Sequence, residues 1–225
     1  MTQDLRSRAP LRPLLFWFAL PALLFASCSQ PPSGGSTEAV IATMATIDAI
    51  EGEAYVVHGG ASTAAAAGDS LVAGDGIQTG AIGKMSLKLR DDSVLAIGPS
   101  TRASLDELVI DDRSRSGRIR VLVGKFWMHV TKWTGSGESR YDVSTPSAVA
   151  GVRGTTLWGD TGVDTICALE GSIEVRSLKQ GSLAPATLET GHCASELSQG
   201  RLTPVAPAPE QIRKYLDEVL IGSQP

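Results

Sequence analysis

The sequence predicts an all-β domain, internally duplicated, that ends in one short C-terminal α-helix. Three observations carry this. From about residue 39, short runs alternate apolar and polar side chains with period two, as half-buried strands do. Turn signals recur about every 8 to 12 residues, the spacing of all-β architectures. No long amphipathic helix precedes the last segment, which argues against crossover helices and a parallel α/β sheet.

The 225 residues are enough for one or two domains with a real core. Twenty Lys and Arg against 24 Asp and Glu give a formal charge of −4, which argues against a basic surface for gripping nucleic acid. A hydrophobic content of 42% excludes a wholly disordered chain. There is no Asn, so the turns rest on Gly, Asp, Ser and Pro.

Residues 1–27 read as an export signal. Arg6, Arg8 and Arg12 precede an apolar run from Leu14 to Phe25, which Pro21 interrupts and which is short for a membrane span. The run closes on Leu24-Phe25-Ala26-Ser27-Cys28, which resembles the lipobox of bacterial lipoproteins. That resemblance implies lipidation of Cys28, and Ser29 after it implies transport to the outer membrane, facing the periplasm or the surface. The alternatives are ordinary cleavage near Ala26 or an uncleaved anchor. Without the signal, 17 positive and 23 negative residues remain, a net of −6. Residues 28–38, rich in Ser, Pro and Gly, read as a flexible tether.

The β domain is expected over residues 39–200. Met85, Leu87 and Leu89 alternate with Ser86, Lys88 and Arg90 before a turn at Asp91-Asp92. Ile119, Val121 and Val123 share one strand face, Arg118 and Arg120 the other. Phe126, Met128 and Val130 face one way, Trp127 and His129 the other. The duplication is read from Thr46-Ile47-Asp48-Ala49-Ile50-Glu51-Gly52, which returns as Thr165-Ile166-Cys167-Ala168-Leu169-Glu170-Gly171. A second echo links Ser70 to Gly74 with Thr187 to Gly191.

Four segments carry a family resemblance: Gly74 to Gly80, Leu89 to Pro99, Tyr141 to Thr155 with its Thr145-Pro146 and Val152-Arg153-Gly154-Thr155, and Leu169 to Val175. In this order and spacing they resemble the FecR domain, the periplasmic module of bacterial iron-transport regulators. The resemblance covers roughly residues 45–195. It implies a solenoid-like or sandwich-like domain that binds other proteins. The family usually has Asp-Gly-Ser at the central turn, where this chain has Asp91-Asp92-Ser93. FecR-type regulators pass a signal through a membrane helix to a sigma-controlling segment. Only about a dozen residues precede the apolar run here, so that output arm is not expected.

No enzymatic constellation stands out, and neither a cofactor nor a metal is expected. His58, His129 and His192 are far apart in sequence, without metal-ligand spacing. His192 and Cys193 are strand neighbours that point to opposite faces. Gly83-Lys84 lacks the rest of a phosphate loop, and no Gly-x-Ser-x-Gly elbow is present. With Cys28 assigned to lipid, Cys167 and Cys193 are expected to pair, since export places them in an oxidising compartment; two buried free thiols are the alternative. Arg153 reads as a partner contact or as an internal ion pair. Trp127, Trp133 and Trp158 read as a binding platform or as core filling. The run Asp111-Asp112-Arg113-Ser114-Arg115-Ser116 reads as a solvated loop.

Residues 201–225 read as a Pro-rich connector and an amphipathic helix, with Ile212, Tyr215, Leu216, Val219 and Leu220 on one stripe. The stripe caps its own domain or docks on a partner. The sequence thus points to a non-enzymatic envelope lipoprotein, tied to the membrane by lipid, with a protein partner and no nucleic acid. A membrane-anchored FecR-type regulator and a cell-wall or carbohydrate-binding module are the alternatives.

Overall fold

The computed structural model describes residues 42–222, apart from 112, 136, 180–183 and 208. The signal, Cys28 and the tether lie outside the described residues. In chain order the strands are β1 (Ala45–Glu51), β2 (Ala54–His58), β3 (Ala61–Ala64), β4 (Ser70–Leu71), β5 (Gly76–Thr79), β6 (Lys84–Leu89), β7 (Val94–Ile97), β8 (Arg102–Ile110) and β9 (Ser114–Val123). They continue as β10 (Lys125–His129), β11 (Glu138–Ser144), β12 (Ala148–Val152), β13 (Thr156–Asp160), β14 (Thr165–Glu170), β15 (Ser172–Ser177), β16 (Ala186–Glu189) and β17 (His192–Ser195). The α-helix α1 (Pro209–Asp217) follows.

The strands build two sheets. The eight-stranded sheet has the order β17-β14-β13-β10-β7-β6-β1-β4 and the nine-stranded sheet β16-β15-β12-β11-β9-β8-β5-β2-β3. Neither closes on itself, so the fold is a sandwich. Strand pairs are antiparallel throughout except for β9 with β11, which run parallel over Ser114–Arg120 and Glu138–Ser144. The chain lengthens both sheets together, β6–β7 entering one, β8–β9 the other, then β10, β11–β12, β13–β14 and β15–β16 by turns.

Period-two alternation explains the interior. Met85, Leu87, Leu95, Ile97, Phe126, Met128 and Leu157 from one sheet meet Ile77, Leu105, Ile119, Val121, Tyr141, Val143, Val152 and Ile173 from the other in one buried cluster. Val123 departs from the face it was expected to share with Ile119 and Val121 and is 38% exposed. Its neighbour Leu122 is an extra residue between the pairs Ala103–Val121 and Arg102–Val123, and the bulge turns the strand end outward.

The duplication is visible in the connectivity. β1 and β14 belong to the eight-stranded sheet, and each leads into a strand of the other sheet, β2 or β15. Each crossing is made by the glycine that ends the repeated segment, Gly52 at φ 70° and Gly171 at φ 72°. Left-handed backbone there costs an L-residue about 1–2 kcal/mol. β3 then pairs with β2 and β4 with β1, as β16 pairs with β15 and β17 with β14. The two four-strand units close opposite ends of the sandwich. The second echo in the sequence is not equivalent, because Ser70 opens β4 in one sheet whereas Thr187 lies in β16 of the other.

A buried carboxylate joins the sheets at mid-length. Asp91, 4% exposed, sits in the turn between β6 and β7. Its Oδ2 accepts from Tyr141 Oη of β11 at 2.6 Å and from Ser93 Oγ at 2.9 Å, and its Oδ1 accepts from Ser93 N at 3.1 Å. Arg115 Nη1 of β9 lies 3.8 Å away. Ser93 Oγ also accepts from Thr131 N at 3.1 Å, which fixes the chain beyond β10. Tyr141 reaches Asp91 over Gly117, where any Cβ would lie 2.4 Å from the tyrosine ring. Burial, and then the bond to Asp91, push the Tyr141 phenol well above its ordinary range. Asp92, beside Asp91 in the turn, holds a left-handed backbone at φ 63°.

Three outcomes follow from this core. Asp92→Gly relieves left-handed strain and raises stability by about 0.5–1 kcal/mol in urea unfolding. Tyr141→Phe lowers stability by about 1.5–3 kcal/mol at neutral pH, because a buried carboxylate loses a donor. A raised phenol stabilises the fold below its unfolded pKa, about 10, and the gain fades as pH climbs above that. The wild-type advantage over Tyr141→Phe therefore shrinks in unfolding measured above about pH 10.

Candidate functional site

The two outer faces of the sandwich have opposite characters. On the eight-stranded sheet, Ala96, Trp127, Trp158, Cys167 and Cys193 form a second buried cluster, closed by Val219 just beyond α1. Tyr215 stacks on Trp158 with ring centroids 3.8 Å apart and planes 6° from parallel. Lys125 Nζ bonds Glu218 Oε2 at 2.7 Å, and Lys84 Nζ donates to the carbonyls of Asp217 and Leu220 at 2.8 and 3.1 Å. The amphipathic stripe thus packs on its own domain.

Cys167 and Cys193 form a disulfide within this cluster, directly opposite one another on β14 and β17. Cys193 gives both its backbone groups to Val205 at 2.8 Å, so the cysteines are a non-hydrogen-bonded pair, the kind whose side chains lie closest. The bridge spans 26 residues. On the chain-entropy estimate a loop of that size contributes about 3.5 kcal/mol.

The nine-stranded sheet presents the other face, and no helix covers it among the described residues. Its outward positions form a charged row across the strands. Register places Glu107 of β8 beside Arg118 of β9, Arg118 beside Asp142 of β11, Asp142 beside Gly151 of β12 and Gly151 beside Glu174 of β15. Arg140 lies over Gly151, within 2.8 Å of Asp142 Oδ1 and 3.9 Å of Glu174 Oε1. A Cβ on residue 151 would come 3.0 Å from the guanidinium, so glycine makes the space. Arg140 separates two recesses. One, about 290 Å³, lies among Glu107, Arg118, Glu138 and Asp142. The other, about 300 Å³, lies among Arg153, Thr155, Glu174 and Thr187.

The singled-out side chains are therefore split. Arg153 pairs with Glu138 at 3.6 Å on this open face, with both side chains exposed rather than internal. Trp127 and Trp158 lie under the α1 segment, 7% and 0% exposed. Trp133 is elsewhere, with the Arg115 guanidinium 4.2 Å from its ring centre. The three tryptophans do not form one platform. The solvated-loop reading of the run from Asp111 holds for Asp111 and Arg113, which are exposed, and fails from Ser114 on, where strand β9 begins and carries Arg115 toward Asp91. Sequence reasoning missed Arg140. Its signal was a glycine, Gly151, inside an otherwise regular strand pattern.

The Thr145-Pro146 segment adjoins a further recess through Ser147. Ser147 Oγ donates to Asp164 Oδ1 at 2.5 Å, and Ser198 N to Asp164 Oδ2 at 2.6 Å. Burial pushes the Asp164 carboxyl up, but these bonds outweigh it and hold the group below its usual range. No group of three or more His, Cys, Asp and Glu among the described residues has the geometry of a metal site. No helix among them is long and apolar enough to cross a membrane.

Residues 75–175 match the family model described as FecR protein. This stretch is a FecR domain. It runs from β5 through most of β15, so it takes in the Asp91 turn, Tyr141 and the charged row. Two solved structures are similar to the chain, both described as a "putative anti-sigma factor" from Parabacteroides distasonis ATCC 8503. Each is 14% identical with a TM-score of 0.49, and each match covers 63% of this chain. The matched region spans 64% and 63% of those chains. No curated protein matches the sequence.

Two outcomes test the geometry of the FecR domain. Gly151→Leu displaces Arg140 from Glu174 while changing global stability by less than about 1 kcal/mol, since exposed ion pairs contribute little; a crystal structure of the variant would show the displaced guanidinium. Because the Asp164 carboxyl is held low, its contribution is present above its ordinary pKa of 3.8 and fades as pH falls through the folded value. The stability difference between wild type and Asp164→Ala accordingly narrows in unfolding as pH falls below 3.8.

Proposed function

We propose that the chain is a non-enzymatic lipoprotein of the bacterial envelope, anchored through Cys28, whose FecR domain binds another envelope protein in a regulatory or sensing role. The contact surface in this reading is the open face of the nine-stranded sheet, centred on Arg140 and Arg153. The observation that supports it is the contrast between the faces. One is covered by the C-terminal segment, whereas the other exposes an ordered row of alternating charges beside two shallow recesses. Charged rows of this kind select a complementary partner and fix its register more than they add affinity. The lipobox-like Cys28 and the Ser- and Pro-rich tether support placement at the outer membrane, and the FecR match supports the regulatory role.

A photo-crosslinking residue at Thr187 tests the binding face in cells. The reading expects a discrete protein adduct, lowered at least about tenfold by Arg140→Glu, which is the equivalent of ~1.4 kcal/mol. An adduct indifferent to Arg140→Glu would remove this face from the function. Cys28→Ser is expected to shift the protein from the membrane to the soluble fraction.

A further inference from the structure

The segment from α1 to Leu220 covers an aromatic surface, yet it is held at one end and leaves part of that surface unsatisfied. No residue within Pro209–Asp217 is fully buried. The anchoring falls instead on Tyr215, Glu218 and Val219 and on the carbonyls held by Lys84. Upstream, the connector is pinned where Leu202 enters the main core and where Val205 bridges Cys193. A nine-residue helix is marginal by itself and keeps its shape only while docked. Segments with so little buried surface open at low free energy. Beneath the segment, Trp158 is 0% exposed, and its Nε1–H has no hydrogen-bond partner among the described residues. A buried donor left unpaired favours any occupant that brings an acceptor.

We propose that this surface is a second docking groove, and that α1 is a displaceable occupant of it. The groove specifies its guest. Trp158 takes an aromatic ring, as it takes Tyr215. Lys125 takes an acid three residues further on, as it takes Glu218, and Lys84 takes the carbonyls at the helix end. The guest is therefore an amphipathic helix of a partner protein, with an aromatic-x-x-acid pair near its C-terminus. The two lysines at one end set its direction, since cations favour the C-terminus of a helix. This groove lies on the opposite sheet from the charged row, so it stands or falls separately from the function proposed above.

The test uses the full chain and, as probe, a fluorescent synthetic peptide of residues 209–222. In wild type, saturating peptide is expected to speed amide hydrogen exchange over residues 210–220 by at least about tenfold while leaving the strands protected. In full-length Val219→Asp, whose own segment is undocked, the peptide is expected to bind at least about tenfold tighter than to wild type by anisotropy. Trp158→Ala in that background, or Glu218→Lys in the peptide, is expected to abolish the gain. Tyr215→Ala serves as a milder release should Val219→Asp unfold. Unchanged exchange in wild type at saturating peptide, or binding that Trp158→Ala leaves intact, overturns the proposal.

Discussion

The hydrogen bond from Tyr141 to the buried Asp91 carboxylate is the tie on which the sandwich depends. Apolar side chains between two sheets supply most of the stabilisation but little directional information. Asp91 adds the direction. It is anchored in the β6–β7 turn of one sheet and accepts from a side chain of the other at 2.6 Å. A carboxylate with no exposed alternative must keep its donors, because leaving it unpaired costs more than the bonds contribute net. The surroundings serve that geometry. Gly117 leaves room for the ring, Ser93 closes the turn, and Arg115, stacked on Trp133, places positive charge nearby.

With the sheets tied from inside, the outer faces are free to differ. Period two sends every second side chain outward, so the chemistry of each outer face is set by the residues between the core positions. On β10, β13 and β14 these are Trp127, Trp158 and Cys167, too apolar to be left to water, and the C-terminal segment covers them. On β9, β11 and β15 they include Arg118, Arg140, Asp142 and Glu174, which pair along or across the strands and need no cover. The disulfide belongs to the covered face. It locks β17 to β14 at the residue whose backbone receives Val205 and so fixes where the connector leaves the sheet.

Much of this was legible in the sequence. Alternation alone put Phe126 and Met128 on one strand face and Trp127 on the other, and the repeat ending at Gly52 and Gly171 marked the two equivalent corners. The Cys167–Cys193 pairing, expected on the reading of residues 1–27 as an export signal, is present. What stayed hidden depends on which strands become neighbours. Nothing in one sequence says that Tyr141 lies opposite a turn 50 residues earlier. Nor does it say that β9 and β11 run parallel, the pairing that sets Arg118 beside Asp142. The charged run at Asp111 looked like solvent-facing loop because composition cannot show that Arg115 turns inward. The bulge that lifts Val123 out of the core is likewise a property of the β8–β9 register.

The most direct measurement of the tie is a double-mutant cycle between Asp91→Asn and Tyr141→Phe, read by urea unfolding at neutral pH. The account predicts that the two effects are strongly coupled, with an interaction energy of at least about 1 kcal/mol. Additive effects, with coupling near zero, would contradict it and leave the two sheets joined by apolar packing alone.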